Sequence, residues 1–207
     1  MPILMALLLN ELAFPKFKRV AQTVLYLPHF LSWVIISSLS LRLLATNDGL
    51  VNQIFGTNIA FLGTENNWRA TYIVLGVWKE CGWNTIIYLA ALTGISPELY
   101  EAAAIDGAGI WQRIIHIMIP AIKKLAGTLL ILQIISVFQI MYEPMVLTKG
   151  GPDNASLSLM QLMWQYAFGN GNMNYGKASA VAVIVTLILL VMTAIYSYFD
   201  RKESDWD

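Results

Sequence analysis

The chain has 207 residues, of which 57% are apolar and only 13% are charged, and its formal net charge is zero. An average soluble domain carries about a quarter charged residues, so this composition indicates a protein that lies in lipid. The balanced charge gives no indication of a nucleic-acid partner, and the single cysteine, Cys81, excludes an internal disulfide and a multi-cysteine metal site.

The chain opens with a short apolar stretch, residues 1–9. This stretch has about half the length that a helix needs to cross a bilayer, and it lacks the basic leader of a signal peptide. We therefore expect it to be the tail of a helix whose beginning lies upstream, in a chain that is truncated at its N-terminus.

Four later segments are long and apolar enough to cross a membrane as helices. Lipid cannot satisfy exposed backbone groups, and a crossing helix takes about 20 residues. We predict the spans at residues 24–45, 68–92, 125–147 and 178–199. The expected fold is an all-α integral membrane bundle of about four complete transmembrane helices, with a partial helix at the N-terminus.

Basic residues alternate between the connections, and this sets the orientation of the spans. They precede the first span, separate the second from the third and follow the fourth: Lys16, Lys18 and Arg19; Arg113, Lys123 and Lys124; Arg201 and Lys202. These three regions are expected in the cytoplasm. The connections at 46–67 and 148–177 are expected outside, as ordered loops with turn signals, and a short surface helix is predicted at 157–168.

Residues 94–124 form an inner connection that is too long for a simple turn. Ser96 is suited to cap a helix N-terminus, and Pro97 is favoured at the first helical position. Three alanines follow Glu101, and they combine good helix propensity with almost no side-chain bulk. We therefore predict a short helix here whose backbone another surface can approach closely.

Gly107 and Gly109 end this first helix, and a second one is predicted at about 110–119. Arg113 is placed away from the apolar side of the second helix, and Pro120 marks its end or a bend. Spacing alone leaves two alternatives of equal weight: a helical pair that another protein grips, or a surface helix in the lipid headgroups.

A resemblance favours the first alternative. The loop resembles the EAA motif of binding-protein-dependent ABC importers, E-A-A-x3-G-x9-I-x-L-P, which this chain matches at Glu101, Ala102, Ala103, Gly107, Ile117 and Pro120. Ile119 stands in place of the leucine, which is a conservative change. The motif is long and falls in the predicted inner loop, so the match is specific.

The resemblance implies that this loop is a coupling helix, which sits in a groove of a separate cytoplasmic ATP-binding subunit. Glu101 would make polar contacts in that groove, Ala102 and Ala103 would permit close approach, and Gly107, with Asp106 before it, would allow the sharp turn. The chain has no G-x4-G-K-[ST] phosphate loop, so it is expected to be a non-catalytic subunit without cofactor or metal.

Further segments resemble the carbohydrate-uptake permeases, near the branch that imports polysaccharide fragments: 8–11, 48–52, 148–152 and 175–180. The resemblance implies the type I ABC importer architecture, with residues 1–207 as one permease domain, the C-terminal two thirds of a six-span protein. It also implies a multi-pass protein of the bacterial plasma (inner) membrane. Its expected partners are a second permease, two ATP-binding subunits, an extracytoplasmic solute-binding protein and a sugar.

Polar residues inside the second span are candidates for the substrate path, because charge in a span is costly unless it meets a partner or a wet cavity. The candidates are Trp78, Lys79, Glu80 and Trp83. The indole rings of the two tryptophans can stack on sugars. Lys79 and Glu80 are adjacent on the helix and are not expected to face each other directly. A structural pair between helices, or a lysine that snorkels outward, is an equal alternative.

The third span adds Gln133, Ser136, Gln139 and Glu143, which are predicted on one helical sector. Hydrogen bonding between helices is the alternative, and the position of the family's sugar site relative to the EAA motif favours the path.

The competing function is an ion-coupled secondary transporter, in which Lys79, Glu80 and Glu143 would relay ions or protons. His29 and His116 lie far apart in the predicted topology, so each is expected to be a packing or interfacial residue and not part of a catalytic pair.

Overall fold

The structure is a computed structural model that describes residues 1–12, 14–169 and 173–204, with side chains as far as Tyr198. The predicted basic pair Arg201 and Lys202 lies outside the described side chains. Within these ranges the regular elements are all helical. They are α1 (Pro2–Asn10), α2 (Pro15–Tyr26), a 3-10 helix (Leu27–Phe30), α3 (Trp33–Leu43), α4 (Leu50–Phe55), α5 (Glu65–Thr93), α6 (Pro97–Ile105), α7 (Ile110–Arg113), a π-helical turn (Ile114–Met118), α8 (Ile119–Phe138), α9 (Tyr142–Leu147), α10 (Leu159–Phe168) and α11 (Tyr175–Ser204).

The chain packs as two compact units. Unit 1 comprises Met1–Leu31 and Val74–Leu130, and unit 2 comprises Ser32–Ile73 and Ile131–Asp207. The first third of α5 and the last part of α8 belong to unit 2, while the remainder of each helix belongs to unit 1.

A buried cluster holds unit 1 together and fixes α1 against α5 and the start of α8. Its members are Ala6 and Leu7 of α1, Tyr88 and Leu92 of α5, Met118, and Ile122 of α8. Thr85 is fully buried beside them, and its hydroxyl donates to the carbonyl oxygen of Cys81 at 2.6 Å and lies 3.3 Å from that of Pro2. In lipid, close packing and interhelical hydrogen bonds of this kind stabilise helix pairs.

In unit 2, α3 packs on α9 and α10 packs on α11. The predicted outer loop at 46–67 is organised by Asn52, which is buried at 3% exposure. Its amide nitrogen donates to the carbonyl oxygens of Ala45, Thr46 and Ile59, and its side-chain oxygen accepts from Thr57 and from the Ile59 backbone. A single amide thus closes this loop.

Among the described residues, two helices are each long and apolar enough to cross a membrane, Ile110–Phe138 and Tyr175–Tyr198. The second of these confirms the fourth predicted span. The 29-residue α5 covers the second predicted span, but the neighbouring charges of Lys79 and Glu80 make it more polar than these two.

The first predicted span, 24–45, is wrong as one continuous helix. The chain forms two separate helices here, Pro15–Phe30 and Trp33–Leu43, and each alone is too short to cross a membrane. They are separated because the backbone is extended at Leu31 and Ser32. Pro28 has no backbone N–H to continue an α-helix. The hydroxyl of Ser32 then caps α3 by accepting from the backbone N–H of Ile35.

The third predicted span, 125–147, is also corrected. The membrane-length helix begins earlier and ends at Phe138, while Tyr142–Leu147 forms a separate short helix. Pro144 accounts for the break, because proline in a helix interior clashes with the carbonyl four residues before it, whereas the first turn of α9 tolerates it.

Candidate functional site

The first inner-loop helix begins as the sequence predicts. Pro97 is the first residue of α6, and the hydroxyl of Ser96 accepts from the backbone N–H of Glu98 at 3.3 Å. The carboxylate of Glu98 lies in the first turn, where it meets the positive end of the helix dipole. These local interactions fix the start of the helix, and its Tyr100 packs against the buried cluster of unit 1.

Gly107 ends α6 in a left-handed conformation, with φ +74°. The backbone N–H of Ala108 donates to the Ala103 carbonyl at 2.8 Å, and that of Gly107 donates to the Ala104 carbonyl at 3.1 Å. This pair of bonds is a Schellman motif, which glycine favours because it lacks a Cβ. The predicted sharp turn is therefore present at Gly107.

The loop presents apolar side chains to its surroundings. No residue of α6 is buried, and Ile105 at its end is 87% exposed. Trp111 on α7 is 76% exposed. Glu101, Ala102 and Asp106 are exposed as well, whereas Ala103 and Ile117 are half-buried. Large exposed apolar residues beside small and acidic ones are typical of a surface that another protein covers.

The second inner-loop helix does not end at Ile119. A π-helical turn, Ile114–Met118, connects α7 to α8, and the helix is continuous from Ile110 to Phe138. Pro120 therefore marks an irregularity and not an end. A π turn widens the hydrogen-bond pattern just before the proline, where an α-helical pattern would clash.

Arg113 is not on the open surface, where the sequence pattern puts it. Its guanidinium Nη2 lies 3.4 Å from Oε2 of Glu11, the residue that follows α1. Both side chains are about three-quarters buried. Sequence reasoning missed this pair because the two residues are 102 positions apart and no periodicity links them.

The charged residues in the middle of α5 are paired inside unit 1. Lys79 is 6% exposed, and its ammonium Nζ lies 2.8 Å from the carbonyl oxygen of His29 and 3.1 Å from Oε1 of Glu80. The other Glu80 oxygen lies 2.8 Å from Nδ1 of His29. Lys79 and Glu80 thus do meet, contrary to the sequence interpretation, because both side chains turn toward one histidine in the 3-10 helix.

The two candidate tryptophans of the second span differ in environment. Trp83 is stacked on the His29 ring, with centroids 4.6 Å apart and planes 8° apart, and it is still 43% exposed, close to the 48% of Trp78. Sequence reasoning predicted His29 only as a packing or interfacial residue. In the sequence, only the neighbouring Pro28 points to the position of His29, because a proline indicates a helix break inside a span.

The four polar candidates near the third span do not share one helical sector. Gln133 and Ser136 lie on α8 and are exposed. Gln139 lies in the turn after α8, and Glu143 lies on α9. The break before Pro144 therefore separates Gln139 and Glu143 from the helix that carries the other two. All four belong to unit 2, whereas the four candidates of α5 belong to unit 1.

These observations define a class of protein: an all-α integral membrane protein in which an exposed short helix, α6, lies between two long helices. Its sequence matches, over residues 1–205, the family described as binding-protein-dependent transport system inner membrane component. The chain belongs to that family, and it is an inner-membrane transport component.

Several relatives among known proteins are named as permeases for sugars or polysaccharides. YteP of Bacillus subtilis (strain 168), the polygalacturonan/rhamnogalacturonan transport system permease protein, is 46% identical over 157 residues, which are 74% of this chain and 49% of YteP. LplB of the same organism is 39% identical, covering 72% of this chain and 48% of that protein. The chain thus spans about half the length of these curated relatives.

A similar solved structure is that of a bacterial ABC transporter involved in the import of the acidic polysaccharide alginate. It matches with a TM-score of 0.90 and 30% sequence identity, over 97% of this chain and 71% of that one. The same transporter in complex with an alginate pentasaccharide-bound periplasmic protein matches with a TM-score of 0.89. The fold is therefore that of a type I ABC importer permease, as the sequence resemblance implies.

Proposed function

We propose that this chain is the permease subunit of an ATP-driven importer, which moves a sugar or oligosaccharide delivered by an extracytoplasmic binding protein. The observation that carries this proposal is α6, a capped helix with no buried residue that ends in the Gly107 turn of the EAA motif. The apolar end of this helix at Ile105 is uncovered, which is typical of a surface that a partner covers.

The partner of this surface is a separate cytoplasmic ATP-binding subunit. Glu101 and Asp106 supply exposed carboxylates for polar contacts, and Ala102 and Ala103 let the partner approach the helix backbone. Ile117 and Pro120 lie at the π turn, where α7 passes into the long helix. Movement of α6 would reach the membrane through this continuous helix, Ile110–Phe138.

The transport cycle would follow alternating access. Two ATP-binding subunits close on ATP, drawing the coupling loops of this chain and of a second permease together. The cavity between the two permeases then faces outward and receives the sugar, and opening of the ATP-binding subunits restores the inward-facing state. Residues 1–207 act as one permease domain in this scheme, with 94–124 as its coupling loop.

An oligosaccharide is the substrate class that the relatives support, since their names refer to polygalacturonan, rhamnogalacturonan and alginate. In this chain Gln133, Ser136 and Gln139 are exposed on or beside an apolar helix. A polar side chain is costly against lipid, so these residues face the sugar path or the second permease. Trp78 and Trp83 are the exposed aromatic candidates for the same path, and Trp78 is the more exposed of the two.

Co-purification with the ATP-binding subunit tests the coupling role. Glu101→Lys reverses an exposed charge, and Gly107→Pro requires a φ near −65° where the chain has +74°. Both variants should lose binding of the ATP-binding subunit and sugar uptake. Gly109→Pro would be a poor control, because it removes the Gly109 backbone N–H that donates to the Gln112 side chain. Gly109→Ala, at an ordinary φ of −71°, should behave as wild type. Normal binding and transport by both loop variants would refute the proposal.

The sugar path has a test of its own. Gln133→Ala and Trp78→Ala should change the sugar concentration that half-stimulates ATP hydrolysis in the assembled complex. An unchanged sugar dependence with weaker association of the second permease would assign these residues to the permease interface. Uptake that follows an ion gradient and needs no ATPase would instead support the secondary-transporter alternative.

A further inference from the structure

Two charged side chains pair where the inner loop meets α1, and Tyr100 of the same loop packs on the core that contains part of α1. Glu11 follows the last residue of α1, Tyr100 lies on α6, and Arg113 is the last residue of α7. The Arg113 guanidinium and the Glu11 carboxylate are 3.4 Å apart. The three residues therefore connect both helices of the inner loop to a helix far away in the sequence.

Tyr100 lies within the field of both charges. Burial raises the pKa of its hydroxyl above 10.0, the Glu11 carboxylate raises it further, and the Arg113 guanidinium lowers it. The phenol ring also packs against the core cluster that contains Ala6 and Leu7 of α1, and Ile114, next to Arg113, packs there too. The polar group thus lies directly on the core that joins α1 to α5.

The group is loosely bonded in this conformation. A charge-assisted N–H···O bond is about 2.7–2.9 Å long, so the 3.4 Å Glu11–Arg113 contact is stretched. The Tyr100 hydroxyl and the Arg113 Nε are buried, and neither has a hydrogen-bond partner among the described residues. A carboxylate can accept several hydrogen bonds, so Glu11 has the capacity to accept from both donors.

We propose that Glu11, Tyr100 and Arg113 form a clasp that passes displacement of the inner loop into α1, and that the clasp tightens when the loop is engaged. Buried donors left without partners are costly, so the conformation that pairs them is favoured once the loop moves. Glu11 and Arg113 act as positioning residues, since they touch neither ATP nor sugar. This proposal rests on the coupling role proposed above for residues 94–124.

The experiment uses the full-length chain in its assembled complex and measures two quantities: retention of the ATP-binding subunit, and sugar taken up per ATP hydrolysed. Glu11→Gln and Arg113→Met should each keep retention within about twofold and lower the uptake ratio by at least about fivefold, in the usual range of coupling between sites. The charge exchange Glu11→Arg with Arg113→Glu should restore much of the ratio. Tyr100→Phe keeps the packing and should still lower the ratio.

A matched control is the pair of Glu65 and Arg69 on α5, which has the same chemistry but side chains more than half exposed. Arg69→Met should leave both quantities unchanged. Uptake ratios at the wild-type value in Glu11→Gln, Arg113→Met and Tyr100→Phe would overturn the clasp, as would a charge exchange no better than the single variants. A wild-type chain that retains no ATP-binding subunit would refute the proposed function itself, and with it the clasp.

Discussion

The helix α6 and the middle of α5 both carry charged residues that the sequence indicates as functional, yet the structure treats them in opposite ways. Glu101 and Asp106 are exposed on a helix with no buried residue. Lys79 and Glu80 are bonded to each other and to His29. A charged residue can bind a partner only where its hydrogen-bonding capacity is not already used. Helix α6 is therefore suited to docking, whereas Lys79, Glu80 and His29 are suited to holding unit 1 together.

The largest effect on stability is expected from Lys79→Met. The change leaves the His29 carbonyl and one Glu80 oxygen without their cation. Removing one partner of a buried pair costs about 3–5 kcal/mol, and the low end applies because the Glu80 side chain is 38% exposed. Thermal unfolding of the purified protein measures it. Arg69→Met, which breaks an exposed pair, should cost under about 1 kcal/mol. Equal losses of stability in the two variants would show that Lys79, Glu80 and His29 do not stabilise unit 1.

A second strong effect is expected from Gly82→Ala on α5. A Cβ there would lie 1.9 Å from the carbonyl oxygen of Leu25, so the backbones of α2 and α5 would have to separate. Overpacking of this kind costs about 1–3 kcal/mol or more, and it would also loosen His29 from Glu80. Gly76→Ala on the same helix meets nothing within 4 Å. It should therefore be neutral or stabilising in the same unfolding assay, and equal behaviour of the two variants would contradict the close approach.

Gly107→Ala tests whether the turn that ends α6 serves transport more than stability. There is open space for the new Cβ, so its cost comes only from holding alanine at φ +74°, about 1 kcal/mol. The melting temperature should fall by only a few degrees, because a loss of about 1 kcal/mol is small for a chain of this size, whereas sugar uptake should fall several-fold. Gly109→Ala, two residues on and at φ −71°, is the matched control and should change neither quantity. If Gly107→Ala lowered stability without lowering uptake, the turn would serve stability and not docking.

The smallest effect concerns pH. Because the pKa of Tyr100 is raised in the folded protein by burial and by Glu11, the unfolded chain ionises first as the pH climbs through 10.0. The folded state then holds more protons, so stability contributed by Tyr100 is complete below pH 10 and is lost as the pH rises toward the raised value. Chemical unfolding measured on either side of pH 10 should show a shallower decline for Tyr100→Phe than for wild type.

Much of α6 could be predicted from the sequence because its determinants are local. Ser96, Pro97 and Gly107 act on backbone groups within a few residues, so the cap and the turn follow from spacing. The apolar run of α11 needed no partner to be recognised as a span. In contrast, the breaks at Leu31 and Phe138 depend on how each proline is accommodated, since Pro120 stays inside a helix while Pro28 and Pro144 lie beside breaks.

The polar pairs could not be predicted, for a different physical reason. Glu11 with Arg113, and His29 with Glu80, are joined only by tertiary packing across long sequence separations. The predicted seam at Gln133, Ser136, Gln139 and Glu143 assumed one continuous helix, and it failed when α8 ended at Phe138.

The docking of α6 on an ATP-binding subunit is tested most directly by cross-linking. Ile105→Cys, in a chain whose buried Cys81 is replaced by alanine, places one thiol at the exposed end of α6. With a short bifunctional reagent, this thiol should cross-link to the co-expressed ATP-binding subunit and should resist labelling from outside the cell. A thiol that reacts with an impermeant reagent added outside, and never with the ATP-binding subunit, would contradict the docking.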